Sequence, residues 1–344
     1  MACFMDLSKY GFAVNESSVI FRSQTRQTTG ELAEPQVLVV QDVDQAGQQR
    51  RTLVFKSSQG KCNPQAGTGC ALAKMGQPPD TGFGSTSSTG SDLEKDAADL
   101  GASSDSVDQC DSMSCPPDLE QVKKGQGYVQ SMLGALSFIT PAGSSSTGYD
   151  ILSIGLGAAT LPLLLHDLVP QSRQTVVELS GDVVQASRCF GAETAGFDVQ
   201  EAEGRQFLDA AQDGYFDAIL VDAFDGDDKV PSCLTTGNFF HMARSKLKGG
   251  GVLVMNAHSG VTLHNDLQDL IPSAQHSFPR VLVGEAPTLA NKILVATNSG
   301  ASQDKPPLAT GMLAEWLEAA KFYQPPAAGE PRTDDGLDCH LAHS

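Results

Sequence analysis

Apolar residues fall in short runs separated by amphipathic stretches through most of the second half of the chain. Asp150–Ile154, Thr175–Glu178, Asp198–Gln200, Ala218–Val221, Val252–Met255, Val281–Gly284 and Lys292–Ala296 read as buried strands. Thr160–Asp167, Gly181–Phe190, Arg205–Ala211, Thr236–Leu247 and Thr262–Ile271 carry helical spacing between most of them. Such alternation with short connections predicts an α/β fold: a mostly parallel, Rossmann-like sheet covered on both faces. Only a short turn parts the last two strands, which predicts an antiparallel hairpin closing one edge. Upstream, Gln36–Gln41 and Thr52–Lys56 flank a polar turn and predict a β-hairpin. Helical spacing recurs over Val122–Ile139 and over Gly311–Lys321, which holds the single tryptophan, Trp316.

Composition changes the picture between these blocks. Residues 61–120 are built of Gly, Ser, Thr, Asp, Gln and Pro, with ten acidic residues, three basic ones and Phe83 as sole aromatic. So little apolar surface cannot offset chain entropy, and a disordered acidic insert is expected. The division expected is a small β region at 1–60, the insert at 61–120, the α/β domain at 121–300, and a helix with a Pro-rich tail at 301–344.

Charge narrows the partners. The chain has 23 basic and 41 acidic residues, a net charge of −18. That field repels nucleic acid and anionic lipid and favours a cationic or amine substrate, a protein segment included. No run is long enough to span a bilayer and no secretory leader is visible, so a cytoplasmic location is expected, an organelle being left open. The eight cysteines lack the paired spacing of a metal site and read as reduced thiols; no metal is expected.

In an open α/β sheet the ligand lies beyond the carboxyl ends of the strands. The first strand there runs into Gly155-Leu156-Gly157-Ala158-Ala159-Thr160, a turn that lets backbone approach a ligand, with Thr160 where a third glycine would stand. The next strand ends at Glu178, twenty-one residues after Gly157, spacing that suits acceptance from both hydroxyls of a ribose. Glu203 and Gly204 follow the third strand; Glu203 would sit beside an adenine or, more blandly, cap the next helix. The fourth strand ends in Asp222, with Asp225, Asp227 and Asp228 close behind. Asp222 would orient an amine or take its proton, while Asp227 and Asp228 read as a solvated rim. His258 also ends a strand; His241 reads as a surface or packing residue.

The order of these features resembles the spermidine synthase-like branch of the class I methyltransferase fold. Its nearest likeness is to the C-terminal domain of methyltransferase-13-like proteins, which methylate a translation elongation factor. The resemblance rests on ILSIGLGAATLPLLLHDLVP, VVELSGDVVQASRCFG, EAEGRQFL, FDAILVDAFDGDDKVP and KGGGVLVMN, within residues 121–298. It implies S-adenosylmethionine as cofactor, with Gly155, Gly157, Glu178, Glu203 and Asp222 at the cofactor or reacting group. Asp222 and Asp225 keep the Asp-x-x-Asp spacing of the synthases. The synthase acid that suits the free amine of decarboxylated S-adenosylmethionine is replaced by Ala158, and the synthase Tyr-His-Glu by Tyr128-Val129-Gln130. The resemblance also implies a homodimer through the N-terminal β region, which is short here. Methyl transfer to an amine is therefore the leading expectation. Aminopropyl transfer from decarboxylated S-adenosylmethionine to a polyamine is the alternative, and a non-catalytic nucleoside-binding relative the third.

Overall fold

The computed structural model describes residues 19–23, 27–28, 31–32, 37–43, 49–56, 62–69, 110, 118–125, 127–140, 148–225, 229–258, 266–286, 291–298 and 311–334. A four-stranded sheet comes first, β1 Val19–Arg22, β2 Val37–Val43, β3 Gln49–Lys56 and β4 Cys62–Gly69, antiparallel in that order, with a two-residue strand pair, Gln27–Thr28 and Glu31–Leu32, between β1 and β2. The expected hairpin is β2–β3, with Val37 opposite Phe55. β4 is a correction: the stretch expected to be disordered from residue 61 begins with a strand. Its composition argued against a core of its own, but pairing with β3 supplies backbone hydrogen bonds that composition does not reveal. Of the rest of that stretch, residues 70–109 and 111–117 lie outside the described residues.

The helices α1 Leu119–Lys124 and α2 Tyr128–Gly134 lead into β5 Asp150–Ile154, α3 Thr160–Leu168, β6 Arg173–Glu178, α4 Gly181–Ala186, β7 Asp198–Glu201, α5 Gly204–Ala210 and β8 Phe216–Val221. Then come α6 Gly237–Lys246, β9 Leu247–His258, α7 Leu267–Ser277, β10 Arg280–Glu285, β11 Asn291–Thr297 and α8 Met312–Ala319. The main sheet has seven strands in the order β10-β11-β9-β8-β5-β6-β7, parallel from β9 to β7. β11 runs antiparallel between β9 and β10, so the expected hairpin closes the edge. Chain order reverses between β5 and β8, which puts the topological switch point at their carboxyl ends.

Burial explains the central strands. Every residue of β5 is buried, and Ala218 to Val221 of β8 are 0% exposed. Two apolar layers sandwich the sheet: Leu208, Phe239, Phe240, Leu270 and Phe278 on one face, Met132, Leu133, Leu164, Leu165 and Trp316 on the other. A third cluster joins Phe21, Val39 and Leu53 of the N-terminal sheet to Leu156, Ala158, Ala159 and Phe190. The small sheet thus packs against the glycine-rich turn itself, and Arg51 Nη1 donates to the Cys189 carbonyl at 2.8 Å.

The expectation of reduced thiols is also corrected. Cys110 and Cys189 form a disulfide across 79 residues with their Cα atoms 4.6 Å apart, and Cys233 is disulfide-bonded as well. Sequence spacing hid this, because folding and not proximity along the chain brings the sulfurs together. Among the described residues no helix is long and apolar enough to cross a membrane, and no cluster of side chains could hold a metal ion.

Candidate active site

The site is built where β5, β6, β7 and β8 end. Gly155 leaves β5 at φ 99, and its amide donates to the Val177 carbonyl. A Cβ there would lie 2.3 Å from the Asp222 carbonyl oxygen. Gly155 is therefore required by the close passage of two strand ends, whatever ligand the turn takes. Gly157, at φ 51, differs: a Cβ would meet nothing within 4 Å, so the turn opens on free space. Ala159 in the left-handed region starts α3, and the buried Thr160 Oγ1 beside it has no hydrogen-bond partner.

Glu178 faces this turn from the end of β6. Its Oε2 accepts from the Leu156 amide at 3.0 Å and its Oε1 from the Ser180 amide at 2.9 Å; the amides of Gly157 and Leu179 also donate. Burial pushes the carboxyl up and these four bonds pull it down. Together they use the carboxylate's four lone-pair directions, so ribose hydroxyls would have to displace some of them. Glu203 does what the blander reading expected: it caps α5, accepting from Arg205 N at 2.8 Å and Gln206 N at 2.7 Å. Gly204 is a packing glycine, since a Cβ would come 2.5 Å from Ile154 Cγ2.

Asp222 emerges from β8 at the centre. Asn256 Nδ2, 1% exposed at the end of β9, donates to its Oδ1 at 2.9 Å, and the Tyr128 hydroxyl donates to the same carboxylate. Asn291 of β11 donates to Asn256 Oδ1 at 3.0 Å, which obliges the Asn256 amide to present its NH2 group to Asp222. Burial pushes the Asp222 carboxyl up, against the Asn256 and Tyr128 bonds and the nearby His258, which hold it down. Tyr128 is pushed well above the usual phenol range by burial and by the Asp222 charge, so it remains a donor. Phe224 stacks on the His258 ring at 4.5 Å between centroids.

Among the expected site residues, Gly155, Gly157, Glu178 and Asp222 gather at one cleft, and Glu203 with Gly204 flanks it. Asp225 faces its own loop, its Oδ1 accepting from Lys229 N at 3.0 Å. Residues 226–228, with Asp227 and Asp228, lie outside the described residues. His241 is an exposed residue of α6, away from the cleft. Missed were Asn256 and Asn291 as members of the Asp222 network, and the partnership of Tyr128. Asn256 carried a signal, a polar residue straight after Val252–Met255; Asn291 carried none.

An acid on the central strand end, an acid-anchored glycine turn and a seven-stranded sheet of this order stand together. The spermine/spermidine synthase domain model matches residues 129–303. The chain belongs to this family. Within the spermine/spermidine synthase family, it is 28% identical over 158 residues to a probable polyamine aminopropyl transferase of Bifidobacterium longum, covering 45% of this chain and 35% of that one. It is 30% identical over 136 residues to a polyamine aminopropyltransferase of Neisseria meningitidis serogroup A, covering 39% and 49%. The chain thus spans half or less of the length of these curated relatives. A crystal structure of a probable spermidine synthase from Corynebacterium glutamicum shares the fold at TM-score 0.57 and 17% identity, over 90% of this chain and 99% of that one. In this member of the spermine/spermidine synthase family the turn after β5 carries a buried alanine, Ala158.

Proposed function

We propose that this spermine/spermidine synthase-family domain transfers an aminopropyl group from decarboxylated S-adenosylmethionine to a polyamine. The observation that carries the proposal is the Asp222 carboxylate, desolvated at the switch point and fixed by Asn256 and Tyr128. The names of the curated relatives favour aminopropyl over methyl transfer, reversing the order of preference that Ala158 suggested.

The residues present fit an adenosyl donor. Gly157 opens on space, Thr160 Oγ1 is an orphaned buried polar atom on the same turn, and Glu178 faces both. Glu178 would hold the ribose once its backbone bonds rearrange, and Glu203 would lie at the adenine edge. When bound, such a donor supplies a sulfonium-activated carbon whose C–S bond breaks as an amine nitrogen attacks it. Asp222 would draw in the incoming ammonium, take one proton from it so that the neutral nitrogen carries a lone pair, and line that nitrogen up for attack. Tyr128 and Asn256 keep that carboxylate from turning away, and Asp225 would add negative charge at the entrance.

Methyl transfer from S-adenosylmethionine to a protein or small-molecule amine is the second reading. It is favoured by Ala158, which places no negative charge where the donor's carboxylate would come, and by the likeness to methyltransferase-13-like proteins. One assay separates the readings. The chain is incubated with each donor and putrescine, spermidine or a basic peptide, and the nucleoside product is resolved by mass spectrometry. Methylthioadenosine from the decarboxylated donor supports the proposal. S-adenosylhomocysteine from the intact donor replaces it with methyl transfer, and neither product with either donor would leave a nucleoside-binding relative.

A further inference from the structure

Away from the cleft, a cavity of about 460 Å³ lies between α6, the end of α7 and the C-terminal segment 331–334. We infer that this cavity is a second ligand site, one that binds a phosphate or sulfate group. His241 and Arg244 of α6, His276 of α7 and Arg332 line it, with Asp334 as the one acid among its lining residues. In a chain of net charge −18, two arginines and two of the seven histidines thus meet at one hollow.

The local charge balance is what points to an anion. Asp334 is already neutralised: Arg205 Nη2 donates to it at 2.5 Å and Nη1 at 3.1 Å, and Asn238 Nδ2 donates at 2.8 Å. Those bonds hold its carboxyl far below the usual range, so it stays ionised but compensated. Arg332 is matched by Asp269 at 2.9 Å. Among the described residues no acid pairs with Arg244. Its Nε goes to Asn298 Oδ1 at 3.1 Å and its Nη1 to the Ser277 carbonyl at 2.6 Å, both neutral acceptors, which aim the guanidinium without discharging it. Among the described residues neither imidazole has a hydrogen-bond partner, and both are exposed residues of the cavity lining. A guanidinium fixed by neutral acceptors and flanked by two imidazoles is the donor set that a tetrahedral oxyanion takes. The other charged side chains lining the cavity, Arg332 and Asp334, are both paired.

The test is calorimetric titration of the full chain with sodium sulfate at ionic strength held constant with chloride. Saturable one-site binding is expected. It should weaken several-fold in the double variant His241→Gln/His276→Gln, whose side chains are exposed, and be lost in Arg244→Gln. Parallel titrations with inorganic phosphate and glycerol phosphate tell a free ion from a phosphomonoester, and binding of either supports the site. Absence of saturable binding by all three anions overturns the inference, as does unchanged affinity in the histidine double variant together with Arg244→Gln. Donor turnover at the cleft should be the same in the histidine double variant as in the parent chain.

Discussion

A carboxylate that burial pushes toward its neutral form, where the proposed chemistry needs it charged, puts function and stability in opposition. Asp222 is that group. Since its native pKa lies above the unfolded one, the protonated form is the one folding favours. The stability this group supplies is present below the unfolded pKa and lost as pH rises through the raised native value. At neutral pH the ionised Asp222 is therefore a cost. Asp222→Asn is expected to raise the melting temperature at pH 7 while lowering kcat by about 10²–10⁴-fold, read by thermal melting and product formation. In the parent chain kcat should climb with pH as Asp222 ionises, a limb absent from the variant's residual rate. Asn291→Ala tests the supporting amide: freed to turn, Asn256 would hold Asp222 less firmly. The expected result is a lower kcat with donor affinity unchanged, and a fall in affinity alone would remove Asn291 from the network.

At the scale of elements, two glycines of one turn do different work, and a single methyl group tells them apart. Gly155→Ala drives a Cβ into the Asp222 carbonyl and asks for a left-handed backbone at φ 99. It should cost stability by about 1–3 kcal/mol, measured by denaturant unfolding. Gly157→Ala meets open space and bears only the cost of a left-handed residue, about 1–2 kcal/mol. Its larger effect should be on donor affinity, since the new methyl stands where the turn opens. If donor binding survives Gly157→Ala intact, the cofactor does not use that space. α7 shows how an element can outrun its pattern. The expected helix stopped at Ile271, before Pro272, yet α7 continues to Ser277 because Leu270 and Ala274 bury its inner face and repay the lost hydrogen bond.

For the whole molecule, long-range ties fix segments that look loose along the chain. The Pro-rich stretch after α8 reads as a tail, yet Gln275 binds the Pro326 carbonyl, Arg332 binds Asp269 and Asp334 binds Arg205 across 129 residues. Arg205 adjoins the Glu203 cap, so Asp334→Ala should loosen the Glu203 side of the cleft as well as the C-terminal segment. The Cys110–Cys189 disulfide pins one residue of the insert into the cluster beside the glycine turn. Reduction, or Cys110→Ser, is expected to lower unfolding stability by about 2–4 kcal/mol, with non-reducing peptide mapping to establish the linkage. Equal stability with and without reductant would exclude a structural role for it.

The buried strands were legible because a strand covered on both faces must be apolar throughout: β5 begins and ends where its pattern says, and β6 and β8 differ only at their starts. Asp222 and Glu178 were legible for a related reason, since a charged residue directly after such a run has only the strand's carboxyl end to occupy. The turn, the strand-end acids and the α/β class thus follow from local pattern and the mechanics of a parallel sheet. The rest required the folded chain. Tyr128, Asn256 and Asn291 lie on three elements and Asp222 just past a fourth, up to 163 residues apart, 291 less 128, and no periodicity relates them. The disulfide, the strap through Asp334 and the cation-lined hollow have the same origin. Each is a contact between side chains that only burial of the intervening core brings within a few ångströms, so each belongs to tertiary structure and not to sequence pattern.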